Sequence, residues 1–265
     1  MSSTTGTSSK HPIEIDDDDD EVMPSAKRQA SADGRSAPAT REPAAAAAAA
    51  TAATPAILTL PRSAAPASNK LRGVSVPPGW CVYSGSLLAT VYGRPQVTSS
   101  KVAAFDFDGC LADTPVGGFD PNAWKLQYPH VPQVLSSLVA SGHTIVIVTN
   151  ESMDRFKTSD VIRKAIAKKV GRLEGFAQKV NVPMLVLCAT AKDAFRKPGT
   201  AAWFFACDAL SACGVAVDKS TSFFVGDAAG RKGDHSDSDK AFAAAAALPF
   251  YDEKTFFEKL HSPTT

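Results

Sequence analysis

Two carboxylates, Asp106 and Asp108, leave a short apolar run, residues 102–105, and are followed at once by Gly109. Such a run, with an aromatic and a β-branched residue, reads as a buried strand. Ionised groups at its end need a partner, a metal or water, because an unpaired carboxylate beside a core is costly. In open α/β sheets, ligands bind beyond the carboxyl ends of the strands. The pair therefore stands where chemistry would be done.

Three later apolar runs end in the same way. Residues 144–149 deliver Thr149 and Asn150. Residues 184–188 lead through a short loop to Arg196, Lys197 and Pro198. Residues 222–226 deliver Gly226 and Asp227. Parallel strands point one way, so these groups are expected at a single rim. Carboxylates, a hydroxyl and an ammonium together fit phosphoryl transfer. The acids would hold Mg²⁺, a hard cation that takes few protein oxygens. Thr149, Asn150 and Lys197 would bind the phosphate, with Thr149 and Lys197 offsetting charge on the transferring phosphoryl oxygens. One carboxylate would attack phosphorus, and a second, two residues along, would act as general acid and then base. Each motif alone is commonplace: DxDG also occurs in calcium loops, Thr-Asn caps helices, and Gly-Asp makes turns. Their order, one per strand, is what carries the reading.

The elements that must position these groups follow from pattern. Helices are expected over 132–140, ended by Gly142; over 158–180, interrupted near Gly171 and Gly175; over 199–212; and over 240–247 and 254–260. One or two strands over 78–92 open the domain. Strands alternating with helices predict an α/β fold, a Rossmann-like parallel sheet with helices on both faces and a minimal cap. Trp203 and Phe204 are expected in the core. Residues 1–75 hold Ser/Thr clusters, the acid run Asp16–Glu21, many prolines and the tract Ala44–Ala50. They are expected to form a disordered low-complexity tail, leaving 76–265 as one domain.

The chain has 265 residues and a net charge of +1, so bulk electrostatics does not announce a polyanion partner. Locally, Arg155 to Lys179 holds eight basic residues against Asp160 and Glu174. A solvated helix face is the plain explanation of such a run. Beginning directly after Thr149 and Asn150, it also starts at the rim. Five cysteines without a CxxC pair argue against a zinc site or a disulfide framework. Neither a membrane-spanning run nor a secretory leader is evident. An intracellular protein is expected, nuclear first and mitochondrial as the alternative.

The order DFDG (106–109), TN (149–150), KP (197–198) and GD (226–227) resembles the haloacid dehalogenase superfamily of phosphatases. The resemblance implies Asp106 as nucleophile and Asp108 as acid/base. It also implies Mg²⁺ held by Asp106, the backbone carbonyl of Asp108 and Asp227. A narrower resemblance rests on WKLQYP (124–129), TNESMDRFK (149–157), RKP (196–198), FFVGDAAGR (223–231), DHSDSDKAFA (234–243) and LPF (248–250). These blocks look like the 3′-phosphatase domain of polynucleotide kinase/3′-phosphatase, a family that removes 3′-phosphates from DNA strand breaks. Cys110 departs from the pattern: the family usually has threonine there, supporting the acid/base aspartate. With no GxxxxGK[ST] loop, 5′-kinase activity is not expected.

The expected function is thus a Mg²⁺-dependent DNA 3′-phosphatase of strand-break repair, acting as a monomer, with repair proteins recruited through the tail. Arg155 is the first candidate for a flanking DNA phosphate, followed by Lys157, Arg196 and Arg231. Asp234 and Asp239 are expected behind the metal, as outer ligands or through its waters. The alternatives are an enzyme of the same fold acting on small phosphorylated metabolites, and a catalytically weak protein that binds DNA ends.

Overall fold

The computed structural model describes residues 55–61 and 67–261. Seven strands form the central sheet: β1 (Cys81–Tyr83), β2 (Leu87–Tyr92), β3 (Val102–Phe105), β4 (Thr144–Asn150), β5 (Met184–Ala189), β6 (Phe223–Gly226) and β7 (Phe250–Asp252). Their order is β7-β6-β3-β4-β5-β2-β1. The five strands from β7 to β5 are parallel, as expected. At the other edge β2 and β1 are antiparallel, so the sheet is mixed. The direct connection of β1 to β2 accounts for this: a short turn can join only antiparallel neighbours.

Four helices cover the sheet: α1 (Val131–Ala140), α2 (Ser159–Val180), α3 (Ala201–Ser211) and α4 (Ser238–Ala246). β3 and β5 have apolar residues at every position, as has β4 from Ile145 to Val148, and these stretches are buried on both faces. Alternate residues then serve opposite layers. Phe105, Ile145, Ile147, Val186 and Val225 pack with α1, α2 and the C-terminal Phe256 and Phe257. Val102, Ala104, Val146, Val148, Leu187 and Phe224 pack with α3 and α4. From β3 the chain runs outward through β4 to β5, then returns to lay β6 on the other side of β3. This reversal puts a crevice at the ends of β3 and β6, where the sequence supplies Asp106 and Asp227.

Helix α2 is continuous, contrary to the expected breaks at Gly171 and Gly175. Those glycines admit a neighbour. A methyl group on Gly171 would lie 2.5 Å from Pro121 Cβ, and one on Gly175 would lie 3.1 Å from the Trp124 ring. Phe204, expected in the core, is 52 % exposed on the outer side of α3, whereas Trp203 is fully buried. The last helical segment, Thr255–Leu260, is a π-helix.

The expected tail boundary at residue 75 lies too late. Ala56–Ile57 pairs with Gln96–Val97, and Lys70–Leu71 pairs with Val74–Ser75. Leu58, Leu71 and Val74 are buried in the core. Arg72 Nη1 donates to the carbonyls of Met153 and Phe156, at 2.9 and 2.7 Å. A few apolar residues in a proline-rich context suffice to dock this segment. The rest of the tail expectation, residues 1–54 and 62–66, lies outside the described residues.

Candidate active site

Asp106 follows β3 directly, and its backbone N–H donates to Val225 on neighbouring β6 at 2.8 Å. That bond fixes the Asp106 side chain beside Asp227, which follows β6. Lys197 arrives on the loop after β5 and is seated by Asn150 at the end of β4. Its backbone N–H donates to Asn150 Oδ1 at 3.0 Å, and Asn150 Nδ2 donates to its carbonyl at 3.1 Å. The Lys197 ammonium, 4 % exposed, then meets Asp106 Oδ1 and, at 2.8 Å, Asp239 Oδ1. Asp239 stands in the first turn of α4. Its other oxygen accepts the N–H of Ala228 at 3.1 Å.

Oxygens of Asp106, Asp227 and Asp239 all lie within 4.8 Å of one another. So close a set of like charges raises the cost of ionisation. Burial, opposed by Lys197 and reinforced by Asp239 and Asp227, holds the Asp106 carboxyl well above the usual carboxylate range. Burial and then Asp239 push Asp227 up to about 6. Asp227 forms no ion pair among the described residues, whereas Asp239 is already held by Lys197. An all-oxygen cluster carrying more negative charge than its one lysine offsets fits a hard divalent cation such as Mg²⁺.

Asp108 points elsewhere. Its Oδ1 accepts Thr114 Oγ1 at 2.8 Å, and its Oδ2 accepts Thr149 Oγ1 at 3.3 Å and the ammonium of Lys169. Burial pushes this carboxyl up, but Lys169, Thr114 and Arg172 together outweigh it and leave Asp108 below its ordinary value. The Asp108 carboxylate is therefore not among the three that could share a metal. Cys110 does not touch it either: Sγ lies 3.5 Å from the Val225 carbonyl. Support for Asp108 comes instead from Thr114, Thr149 and Lys169.

A pocket of about 90 Å³ is lined by Asp106, Asp108, Asn150, Lys197, Asp227 and Asp239. It adjoins an open cleft of about 510 Å³, with Asp108, Asn150, Asp227 and His235 on both. Arg155, Lys168, Arg172 and Arg196 line the cleft, along with residues 114–119. Arg172 is 3 % exposed, yet its Nη2 has no hydrogen-bond partner, and neither has Arg196 Nη1. Unpartnered buried donors are costly and await an acceptor. At the mouth, Phe119 lies 6.1 Å from Phe156, and the Arg155 guanidinium stands 4.9 Å over the Phe156 ring.

The sequence-predicted residues thus divide. Asp106, Asp108, Asn150, Lys197, Asp227 and Asp239 meet at one pocket, and Arg155 and Arg196 line its cleft. Thr149 is fully buried, its hydroxyl shared between Asp108 and Lys169 rather than turned to the pocket. Asn150 spends its amide on the Lys197 backbone. Lys157 is exposed and does not line the cleft. Asp234 accepts the N–H groups of Ala229 and Arg231 at 3.1 and 2.9 Å, and so serves the loop after β6 rather than a metal. Arg231 binds Asp234, Asp252 and Glu253 and is a strut, not a free cation for DNA. Lys168 pairs with Glu151, so the expected basic face of α2 is partly turned inward. Sequence reasoning missed Thr114, Lys169, Arg172 and His235. For Lys169 a signal existed: it stands on the stripe Ile162, Ala165, Ile166, Val170, Leu173, Phe176, where an apolar residue is expected.

Residues 101–257 match the family model described as polynucleotide kinase 3 phosphatase. The chain is 38 % identical over 206 residues to polynucleotide 3′-phosphatase ZDP of Arabidopsis thaliana, covering 74 % of this chain and 29 % of that one. It is 31 % identical over 183 residues to a bifunctional polynucleotide phosphatase/kinase of Schizosaccharomyces pombe, covering 67 % and 42 %. It therefore spans less than half the length of either relative. Among solved structures it is similar to a HAD-like phosphatase from Mesorhizobium loti, with 20 % identity, coverage of 59 % and 76 %, and a TM-score of 0.44.

Proposed function

The chain belongs to the polynucleotide kinase 3 phosphatase family, and from that membership we propose that it is a DNA 3′-phosphatase of strand-break repair. The observation that carries this reading is the seat of Lys197. Its ammonium holds one oxygen of Asp106 and leaves the other for attack, in a small polar pocket that opens onto a cleft with unpartnered arginine donors.

The chemistry follows from these positions. With Asp106 Oδ1 on Lys197, Oδ2 attacks phosphorus in line with the departing 3′-oxygen, and the P–O3′ bond breaks as the Oδ2–P bond forms. Lys197 stays within reach of the phosphoryl oxygens and offsets their charge. Asp108, on the boundary between pocket and cleft and ionised in the free protein, takes the proton of a monoprotonated phosphate and delivers it to the 3′-oxygen. It then takes one from the water that opens the aspartyl phosphate, returning Asp106 and releasing inorganic phosphate. Asp106 and Asp227 would hold Mg²⁺, oriented by Asp239 behind them, and the ion would supply charge neutralisation at the phosphate. Thr149 contributes through Asp108 rather than by touching phosphate.

A polymer substrate suits the open cleft. Arg172 and Arg196 offer donors for a phosphodiester next to the scissile group, and Arg155 with Phe156 and Phe119 offers a charged and aromatic surface for the terminal nucleotide. A nuclear site of action accompanies this reading.

The test uses the full chain and a duplex with a 3′-phosphorylated nick. Phosphate release should require Mg²⁺, stop with EDTA, and vanish in Asp106→Asn. Faster turnover of sugar phosphates than of the oligonucleotide, or equal activity of the Asn variant, would overturn the proposal.

A further inference from the structure

Lys169 is 1 % exposed in the middle of α2, and its ammonium meets Asp108 Oδ2 and, at 2.8 Å, Thr149 Oγ1. Thr149 in turn donates to the same Asp108 oxygen, closing a triangle. Glu151 Oε2 lies 3.9 Å from the ammonium, and the ring of Phe107 lies 5.2 Å away. We propose that Lys169 is a positioning residue for the phosphatase reaction, fixing the Asp108 carboxylate toward the leaving oxygen and the attacking water. The inference rests on the role given to Asp108 above.

The argument is geometric. The last torsion of an aspartate is broad and roughly two-fold, so a free carboxylate turns easily. Here Thr114 holds one oxygen while Thr149 and Lys169 hold the other, which removes that freedom. Lys197 does not reach this acid; it binds Asp106 and Asp239. Each acid of the DFDG motif therefore has its own lysine, delivered from a different element.

Stability does not account for Lys169. A buried ion pair is weak evidence for stability, because its desolvation offsets much of its attraction. The position lies on the apolar stripe of α2, between Ala165 and Leu173, where a methionine would pack against the same neighbours. What a methionine would not do is hold Asp108.

The experiment compares Lys169→Met, Asp108→Asn and the double variant with the unaltered chain, in Mg²⁺. Two small substrates are used, phenyl phosphate with a poor leaving group and p-nitrophenyl phosphate with a good one. Help from a placed acid matters more for the poor leaving group. Lys169→Met should lower kcat/KM for phenyl phosphate roughly 10- to 100-fold, and for p-nitrophenyl phosphate far less. The double variant should fall no further than Asp108→Asn, since residues acting as a unit are not additive. Equal losses on both substrates, multiplying losses in the double variant, or no loss at all would overturn the inference. A 3′-phosphorylated oligonucleotide run in parallel tests the DNA reading by itself. Cleavage of the aryl phosphates without the oligonucleotide would sink that reading while leaving the Lys169 comparison decisive. Cleavage of none of the three by the unaltered chain would overturn both.

Discussion

Gly109 faces the carboxylate of Asp227 so closely that a methyl group at its Cα would lie 2.5 Å from Oδ2 and 2.8 Å from Cγ. It also has φ of +84°, which side chains other than glycine rarely adopt. The glycine of the first motif is thus required by the aspartate of the last. Gly226 repeats the relationship on the other side, with its Cα against the carboxylate of Asp239. Gly109→Ala should displace Asp227, lowering Mg²⁺ affinity at least tenfold in calorimetric titration. It should also destabilise the fold by more than about 1 kcal/mol in urea unfolding. Unchanged Mg²⁺ affinity would contradict this account.

The crowded acids predict a pH dependence with a definite sign. Asp227 titrates at about 6 in the fold, above an ordinary value of 3.8. Between these values the metal-free fold keeps a proton that the unfolded chain releases. Its stability from this group therefore rises as pH falls through the window. His143, held below its ordinary value chiefly by burial, acts in the opposite sense below pH about 6.5, so Asp227→Asn serves as the reference. In EDTA the variant should melt above the unaltered chain at pH 7.5, with the gap narrowing by pH 5. With Mg²⁺ the order should reverse at pH 7.5, and affinity should fall as the pH drops, because protons on Asp227 and Asp106 compete with the ion.

Cys110 should be replaceable. Its thiol lies against the Val225 carbonyl and not against Asp108, so Cys110→Thr is expected to leave kcat within about twofold, a hydroxyl finding the same acceptor. Thr114→Val, which removes a bond to Asp108 Oδ1, is expected to cost about tenfold in kcat. The reverse ranking in steady-state assays would mean that the residue at position 110, and not Thr114, supports Asp108.

The arginines should separate by salt dependence. Arg155→Ala and Arg196→Ala should each reduce the slope of log K against log salt for a 3′-phosphorylated end by about 0.7–0.9. Arg231→Gln should leave the slope unchanged. It should instead cost about 2 kcal/mol of stability, since buried Glu253 loses its partner. A slope change in Arg231→Gln would return that residue to the DNA surface.

Much of the site was legible because its signals are local. Buried strands that end on acids, an amide or a glycine read directly from apolar runs, and their alternation with helices reads as a parallel sheet. What escaped depends on faces that composition averages away. Lys169 and Arg172 were hidden among eight basic residues, although helical spacing sets Lys169 on the apolar stripe. Thr149 was read as meeting phosphate because it ends a strand, but its side chain turns to α2, whose approach no local pattern specifies. Gly171 and Gly175 suggested breaks, whereas their purpose is to let Pro121 and Trp124 close against an unbroken helix.

Arg72 donates to the carbonyls of Met153 and Phe156, and so straps down the turn that carries Arg155. The strap comes from a proline-rich lead-in that composition would discard. A fragment beginning at residue 76 would keep the residues proposed for the phosphate chemistry and lose this tether, together with buried Leu58, Leu71 and Val74. Its losses would combine a weakened core with a slackened Arg155 turn, so the full chain is the form in which the proposed grip on a polymer should be measured.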